Sequence, residues 1–306
     1  MRRPTDIFPL QRMIAMRTVT TIAGVREWRQ SIPGTVGLVP TMGYLHEGHV
    51  SLVRRARAEN ECVAASLFVN PRQFGAGEDL NRYPRSLLRD QELFEAAGCD
   101  LLFAPPVEEM YPPGCETAVE AGSVAARLEG ERRPGHFRGV ATVVVKLFGI
   151  FCPARAYFGE KDAQQLVVIR RVVQDLNVPV EIVGCPTIRE TDGLAMSSRN
   201  SYLNERERRA APVLYRALTT ARDCFAGGER RAGELRRVMR EVLAAESLAR
   251  IDYVSVADPA TLHELETVAG PSLLSLAAQI GPARLIDNLV VGECSGIPNK
   301  WNERIE

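Results

Sequence analysis

The sequence predicts an α/β fold in which a doubly wound parallel sheet is followed by a smaller α+β domain. The 306-residue chain is 45% apolar and 25% charged, which leaves room for two cores. Its first two thirds alternate apolar runs with helical patterns, and this alternation stops after about residue 190. We therefore expect an N-terminal arm at residues 1–16, a sheet domain at 17–189 and a small domain at 190–306.

The strands of the first domain are predicted from short runs rich in Val, Ile, Leu and Phe. Such runs are typical of strands that are buried on both faces of a parallel sheet. They are residues 35–40, 62–69, 100–104, 156–158 and 180–183. Helical patterns lie between them, at about 49–59, 86–97, 139–151 and 162–175. A strand–helix alternation of this kind predicts a Rossmann-like sheet.

The second domain is predicted from a change of pattern. Residues 204–225 and 230–245 have the pattern of long charged helices. Three strand-like runs follow without long helices between them: IDYVSVADP, SLLSLAAQIG and ARLIDNLV. At the other end, MRRPTDIFPLQRM is positively charged but lacks the apolar segment and cleavage site of a signal peptide. It is predicted to be a loose arm, with Met13 and Met16 as alternative start residues.

Charge and cysteine content argue against several classes of protein. The 38 basic and 38 acidic residues give a net charge of zero, so neither nucleic acid nor an acidic membrane surface is an expected partner. We find no apolar run of about 18 residues, the length that a membrane-spanning helix needs. The seven cysteines form no C-x-x-C pair, and their odd number favours reduced thiols in a cytoplasm.

Two of the four histidines lie three positions apart in PTMGYLHEGH, residues 40–49. Zinc metalloproteases use H-E-x-x-H, so this spacing is one residue short, and no third ligand lies nearby. His46 and His49 instead follow a predicted strand and begin a helix, where free N–H groups and the helix dipole attract anions. Gly43 and Gly48 let the backbone approach a ligand. A capping loop with two exposed histidines is the alternative.

The block PTMGYLHEGH is one of six sequence blocks that together resemble a known family. PTMGYLHEGH, SLFVNPRQF, EDLNRYPR, RPGHFRGVATVVVKL, YFGEKDAQQ and DGLAMSSRN together resemble the pantoate–β-alanine ligase family of the HxGH nucleotidyltransferase superfamily, over roughly residues 17–290. The resemblance implies an AMP-forming ligase (EC 6.3.2.1) that joins (R)-pantoate to β-alanine. Its cofactors would be ATP, as co-substrate, and Mg²⁺. Pantoyl adenylate would be the intermediate, pantothenate and pyrophosphate would be products, and the protein would be a homodimer.

The resemblance also implies an ATP site and its catalytic residues. The ATP-binding residues would be Met42, Gly43, Tyr44, Leu45, His46, Glu47, Gly48, His49, Gly159, Glu160, Lys161, Asp162, Ile188, Met196, Ser197, Ser198 and Arg199. His46, His49 and Lys161 would be catalytic. Because a carboxylate that attacks phosphorus carries no proton to abstract, we interpret both histidines as groups that stabilise charge in the transition state.

The later ATP-binding segments have side chains suited to a triphosphate. Lys161 offers a point charge and Arg199 a planar fork of donors, while Ser197 and Ser198 offer neutral hydroxyls. Asp162, with Gly159, suits the ribose hydroxyls. Two alternatives remain open from these residues alone: the Lys161–Asp162 pair could be a surface ion pair, and MSSRN could be a helix-capping turn.

The small-molecule substrates would occupy a pocket with amide donors and an apolar wall. By resemblance its residues are Asn70, Gln73, Gln165, Met42 and Arg133. Asp90 would hold Mg²⁺ through water, since Mg²⁺ keeps several waters and uses few carboxylates. An exposed helical salt bridge is the alternative for Asp90.

Three positions depart from the family pattern. Tyr44 replaces alanine, Arg72 replaces Met or Leu, and Asn81 replaces aspartate. Tyr44 and Arg72 adjoin predicted site residues and could reshape the pantoate pocket. The remaining alternatives for function are another HxGH nucleotidyltransferase or adenylate-forming enzyme, and a nucleotide-binding sensor without turnover. A tRNA synthetase fragment is disfavoured by the zero net charge.

Overall fold

A six-stranded parallel sheet forms the first part of the molecule. The computed structural model describes residues 15–292. The strands are β1 (Arg17–Val19), β2 (Val36–Thr41), β3 (Cys62–Leu67), β4 (Leu101–Phe103), β5 (Arg155–Gly159) and β6 (Glu181–Cys185), in the order β1-β4-β3-β2-β5-β6. The five predicted strands are confirmed, with ends shifted by at most two residues. Strand β1, which pairs with β4, was not predicted.

Helices cover both faces of this sheet. They are α1 (Ile22–Gln30), α2 (Glu47–Glu59), α3 (Leu87–Ala96), α4 (Val107–Met110), α5 (Glu129–Arg132), α6 (His136–Phe151) and α7 (Ala163–Asp175). Consecutive strand residues alternate between two cores: Leu38 packs with α1, α6 and α7, and its neighbour Val39 packs with α2 and α3. This alternation is the doubly wound arrangement that the apolar runs predict.

The strand order reverses at the centre of the sheet. From β2 the chain passes to β3 on one side, and it later returns to β5 on the other side of β2. In parallel sheets, ligands bind outside the carboxyl ends of the strands at such a reversal. Here those ends are Thr41 of β2 and Gly159 of β5.

The second part of the molecule has its own core. Helices α8 (Glu205–Ala210), α9 (Val213–Ala226) and α10 (Ala232–Ala244) pack with the antiparallel strands β7 (Ala249–Ala257), β8 (Ser272–Ile280) and β9 (Ala283–Val291). The predicted α+β domain is therefore confirmed as an architecture. Its limits at 190–306, and those of the sheet domain at 17–189, stay predictions. The predicted arm lies outside the described residues except for its last two positions.

One predicted helix is wrong. Residues 204–225 form two helices, α8 and α9, which are separated at Ala211 and Pro212. Proline has no N–H to donate and its ring clashes with the preceding turn, so it ends one helix and begins the next. Helix α1 was also not predicted. Among residues 15–292, no helix is long and apolar enough to cross a membrane.

Candidate active site

The segment between β2 and α2 makes a tight turn in the left-handed region. Gly43 has φ +86° and Tyr44 has φ +53°. A Cβ at Gly43 would lie 3.0 Å from Oδ2 of Asp90, so space as well as conformation favours glycine there. Tyr44 has a Cβ, and its conformation costs on the order of 1 kcal/mol. Bonds from elsewhere in the chain must therefore hold the turn.

Asp90 of α3 supplies two of these bonds. It is completely buried, and its two carboxylate oxygens accept backbone hydrogen bonds from Tyr44 and Leu45, each 2.7 Å long. Ser198 Oγ adds a third bond by donating to the Tyr44 carbonyl at 3.1 Å. The alternative of an exposed salt bridge is therefore wrong for Asp90. The structure does not bring Asp90 to the cavities described below, and its predicted contact with Mg²⁺ stays a prediction without structural support.

The histidine pair begins helix α2. His46 is the N-cap residue, and its backbone N–H donates to Nδ1 of His49 at 3.3 Å. The two ring centroids are 4.0 Å apart. Because a Cβ at Gly48 would lie 2.9 Å from the His46 ring, Gly48 leaves room for this arrangement. The alternative of two exposed histidines is wrong, since both rings are half-buried and line a cavity.

Both histidines are neutral at physiological pH in this structure. Burial, aided by Lys161, lowers the pKa of His46 to about 4. Burial, aided by the neighbouring His46, lowers the pKa of His49 to about 3. Because Nδ1 of His49 accepts a hydrogen bond, the single proton of the neutral ring belongs on Nε2, which is then a donor. Nδ1 of His46 is buried and has no hydrogen-bond partner among the described residues.

Lys161 and Asp162 lie in the turn after β5. Lys161 Nζ is 3.4 Å from Asp162 Oδ1, and both side chains line the cavities. Burial opposes ionisation of Asp162, but the adjacent Lys161 charge holds the pKa of that carboxyl below its usual value. Asn288 of β9 donates to the carbonyls of Glu160 and Lys161 at 3.0 and 2.8 Å. The ion pair is therefore a part of the cavity wall, and the second domain fixes its backbone.

The MSSRN segment both caps a turn and lines the cavities. Ser197 Oγ accepts from the Arg199 N–H at 3.3 Å, at the start of a 3₁₀ turn over Ser198–Tyr202. The Arg199 guanidinium donates two hydrogen bonds of 2.9 Å to Asp79. Sequence reasoning missed Asp79, which lies 120 positions away. An incoming phosphate must therefore compete with this carboxylate for Arg199.

Two adjoining cavities hold most of the predicted site residues. One, of about 200 Å³, lies at the carboxyl ends of β2 and β5, and its wall includes His46, His49, Asn70, Gly159, Ile188, Met196 and Ser198. The other, of about 340 Å³, reaches β8 and β9 and is lined by Arg133. Both share Met42, Gln73, Lys161, Asp162, Gln165, Ser197 and Arg199. The site thus spans the strand reversal and the junction with the second domain.

Helix α6 supplies an apolar wall that sequence reasoning did not assign to the site. Val140, Val143, Val144 and Leu147 line the smaller cavity. Their spacing of three and four positions marks one helix face, so the signal was present in the sequence. It predicted only a buried helix, because a helix face that packs on a core has the same pattern.

Some predicted residues do not line either cavity. They are Gly43, Tyr44, Leu45, Glu47, Glu160 and Asp90. Gly43, Tyr44 and Leu45 form the turn before the histidines and act on its shape. Glu47 is exposed and forms an ion pair with Arg54.

The departures from the family pattern also lie outside both cavities. Arg72 donates to the Cys115 carbonyl at 2.5 Å, and its guanidinium lies 4.1 Å from the centroid of the Tyr111 ring. The Tyr44 ring faces Arg89 at 5.5 Å. Asn81 is exposed. None of these three side chains lines either cavity, and ATP binding by Tyr44 stays a prediction.

The amide and arginine side chains predicted for the substrates are well bonded. Gln73 Nε2 donates to Met42 Sδ at 3.0 Å, and Asn70 Nδ2 donates to Gln73 Oε1, also at 3.0 Å. Arg133 forms two bonds of 2.7 Å with Glu78. Its neighbour His136, which also lines the larger cavity, contacts the Gln73 carbonyl through Nδ1 at 2.8 Å.

This fold and these cavities define the class of the protein. It is a doubly wound α/β protein with an H-x-G-H histidine pair at the strand reversal, where parallel sheets bind their ligands. The sequence model of pantoate–β-alanine ligases matches residues 17–290. The chain belongs to the pantoate–β-alanine ligase family.

Individual relatives agree with this assignment. The pantothenate synthetase of Roseiflexus sp. (strain RS-1) is 65% identical over 276 residues, which cover 90% of this chain and 99% of that protein. A crystal structure of pantothenate synthetase from Thermus thermophilus is 54% identical, with a TM-score of 0.86 over 90% of this chain and 99% of that one. The ligase of Francisella tularensis, complexed with "Beta-gamma ATP and Beta-alanine", is 34% identical, with a TM-score of 0.75 over 90% and 98%.

The buried histidines predict acid sensitivity of the fold. The pKa values of His46 and His136 are lowered to about 4, and that of His49 to about 3, in each case mainly by burial. The unfolded chain binds protons at these positions below about pH 6.5, whereas the folded chain binds them only near pH 4 and below. The contribution of these three neutral histidines to the free energy of unfolding is therefore fully present above about pH 6.5 and is lost as the pH falls towards 4.

We expect the urea concentration at the unfolding midpoint to be lower at pH 5 than at pH 7. Without urea the protein should stay folded at both pH values. His136→Gln should make this fall less steep. The control is His263→Gln, because His263 is exposed and lies outside the cavities. If the urea midpoint of the His136 variant depends on pH as steeply as that of the wild type, His136 does not contribute to the acid sensitivity.

Proposed function

We propose that the two cavities carry out the ATP-dependent ligation of (R)-pantoate with β-alanine. The products are pantothenate, AMP and pyrophosphate, and pantoyl adenylate is the intermediate. Family membership supports the reaction, and one observation carries the assignment to this site. The neutral pair His46 and His49 and the cation of Lys161 line the same cavity as Gln73 and Gln165. Phosphate ligands and amide ligands for a small acid therefore meet at one place.

The first half-reaction forms a bond between a pantoate carboxylate oxygen and the α-phosphorus of ATP. The bond to the bridging oxygen breaks, and pyrophosphate leaves with the electron pair. No proton moves in this step. Nε2–H of His49 and the N-terminus of α2 are donors to the phosphate oxygens, and they stabilise the charge that develops on them. Lys161, and Arg199 once it exchanges Asp79 for phosphate, bind the leaving pyrophosphate.

The other ATP contacts follow from where the side chains lie. Ser197 is a hydroxyl donor for the phosphates, and Ser198 becomes one only if it exchanges the Tyr44 carbonyl for phosphate. Asp162 with Gly159 is available to the ribose. Among residues 15–292, no three or more His, Cys, Asp or Glu side chains group so as to hold a metal ion. An Mg²⁺ that enters with ATP would need few protein ligands, and it would neutralise phosphate charge.

In the second half-reaction the neutral amine of β-alanine attacks the adenylate carbonyl carbon. The bond from that carbon to the phosphate oxygen breaks, AMP leaves with the electron pair, and the amine gives up one proton to water or to a neutral histidine of the site. Arg133, at the wall of the larger cavity, is the proposed partner of the β-alanine carboxylate, which must displace Glu78. The Francisella tularensis ligase is described as complexed with "Beta-gamma ATP and Beta-alanine", which supports binding of β-alanine together with the nucleotide.

The reaction is tested with purified protein, ATP, Mg²⁺, pantoate and β-alanine. We expect pantothenate by mass spectrometry, with one AMP formed per pantothenate and no ADP. Omission of either acid should abolish the amide product. Formation of ADP and phosphate, or no product from folded protein, would contradict the proposal.

Gln73→Ala tests the pantoate assignment. Loss of a hydrogen bond to the substrate should raise the KM for pantoate by roughly tenfold and leave the KM for ATP within about twofold. Steady-state kinetics with each substrate varied in turn measures both. Gln174→Ala, on the exposed surface of α7, is the matched control. Equal effects on both KM values would contradict a specific pantoate contact.

The family resemblance also supports a homodimer, and the cysteine pattern supports a cytoplasmic location. We retain both as parts of the proposal. Light scattering on the purified protein tests the first, and a monomer mass at working concentration would remove it. Fractionation of the source cells tests the second.

A further inference from the structure

Tyr111 lies outside both cavities but is connected to Gln73 by a chain of side-chain hydrogen bonds. Its hydroxyl donates to Asn70 Oδ1 at 2.9 Å. Asn70 Nδ2 then donates to Gln73 Oε1 at 3.0 Å, and Gln73 Nε2 donates to Met42 Sδ at 3.0 Å. The three donors therefore run in one direction, from Tyr111 towards the cavity wall.

The direction of this chain is set by backbone groups that cannot reverse their roles. Asn70 is 1% exposed, so its amide depends on protein groups for its hydrogen bonds. Its Oδ1 accepts from the Arg72 backbone N–H at 3.2 Å, and its Nδ2 donates to the Gly139 carbonyl at 3.1 Å. If the Asn70 amide were turned over, its NH₂ donor would face the Arg72 N–H donor and its oxygen acceptor would face the Gly139 carbonyl. Oδ1 therefore faces Tyr111 and Nδ2 faces Gln73.

The phenol is suited to donate. Burial raises the pKa of Tyr111 to about 12, so the hydroxyl keeps its proton at neutral pH. Two cations lie against its ring, Arg72 at 4.1 Å and Lys146 at 5.7 Å from the centroid. They hold the ring in place by cation–π attraction.

The chain ends on a weak acceptor. A thioether sulfur accepts hydrogen bonds poorly. The Gln73 N–H can therefore leave Met42 Sδ and donate its hydrogen bond to an oxygen of a ligand. Because Gln73 Oε1 is already bonded to Asn70, the side chain presents a donor and not an acceptor to the cavity. It thereby selects a ligand oxygen that accepts.

We propose that Tyr111 is a positioning residue for the acid substrate: through Asn70 it fixes the Gln73 amide so that its N–H faces the cavity and binds an acceptor oxygen of pantoate. This rests on the proposed function, which places pantoate at Gln73. Only the pantoate contact depends on the orientation of the Gln73 amide. Loss of the Tyr111 hydroxyl should therefore weaken pantoate binding and not ATP binding, whereas loss of a merely structural tyrosine would not separate the two.

Tyr111→Phe tests this role. We expect the KM for pantoate to rise roughly three- to tenfold, the loss of one buried hydrogen bond, while the KM for ATP stays within about twofold. The matched control is Tyr157→Phe, which removes a buried hydroxyl bonded to Asn60 at 2.7 Å and to Glu59 at 2.8 Å, away from both cavities. It should lower the melting temperature and leave the pantoate KM unchanged.

Asn70→Asp is the second variant. It keeps an oxygen for Tyr111 and Arg72 but removes the N–H that holds Gln73, so it should raise the pantoate KM at least as much as Tyr111→Phe. An unchanged pantoate KM in Tyr111→Phe, with active wild-type enzyme, overturns the inference and leaves the proposed function standing. A wild-type protein that shows no pantoate-dependent activity overturns the proposed function itself.

Discussion

Replacing His49 with alanine should leave the fold intact and slow adenylate formation by roughly two to three orders of magnitude. Nε2–H of His49 is the donor that His46 and helix α2 fix in place, through the 3.3 Å bond to Nδ1. A fixed donor contributes most where charge develops in the transition state, so the rate constant should fall more than substrate affinity. Single-turnover formation of labelled AMP or adenylate measures the rate directly.

The control for this prediction is His263→Ala, in the second domain and exposed. Circular dichroism and thermal melting should place both variants close to the wild type. Near-normal turnover in the His49 variant would remove this residue from the mechanism. A loss of ATP affinity with an unchanged rate constant would reduce it to a ground-state contact.

Replacing Asp90 with asparagine should cost both stability and activity without changing the Mg²⁺ requirement. Asparagine keeps one oxygen but places an NH₂ group against a backbone N–H that now lies 2.7 Å from the carboxylate. The positive-φ turn at Gly43 and Tyr44 then loses a charge-assisted bond, and the histidines that follow lose their position. We expect turnover to fall by roughly ten- to a hundredfold, since displacement of about 1 Å can have that effect.

The competing role makes an opposite prediction for the Mg²⁺ requirement of the same variant. If Asp90 also binds Mg²⁺ through water, the Mg²⁺ concentration for half-maximal rate should rise in this variant, in addition to the fall in melting temperature. Rate against Mg²⁺ concentration separates the two, and thermal melting measures the loss of stability. Asp175→Asn is the control, because Asp175 is exposed on α7 and its ion pair with Arg171 contributes little.

Much of the fold follows from local sequence pattern. Apolar runs such as residues 62–69 mark strands buried on both faces, and the alternation of Leu38 and Val39 between two cores is the structural outcome. Strand β1 escaped prediction because three residues, RTV, give no periodicity to measure. The break at Pro212 was readable in the sequence, but the charged pattern on both sides of it continues without interruption.

The candidate site divides in a similar way. The histidine pair, Lys161 and Ser197 were predictable because short blocks in a fixed order carry them. The contacts that hold them were not, because they join distant positions: Asp90 with Tyr44 across 46 positions and Arg199 with Asp79 across 120. An isolated carboxylate on a helix has no local feature that distinguishes a buried acceptor from a surface ion pair. Only tertiary packing decides between them.

Adenylation of pantoate at the His46–His49 site is tested most directly by isotope exchange between labelled pyrophosphate and ATP, with Mg²⁺ present and β-alanine absent. We predict exchange that requires pantoate, because reversible formation of pantoyl adenylate is the only step available under these conditions. His49→Ala should suppress it, and His263→Ala should not. Folded, ATP-binding protein that shows no exchange with pantoate, or equal exchange without it, would contradict adenylation of this acid at the His46–His49 site.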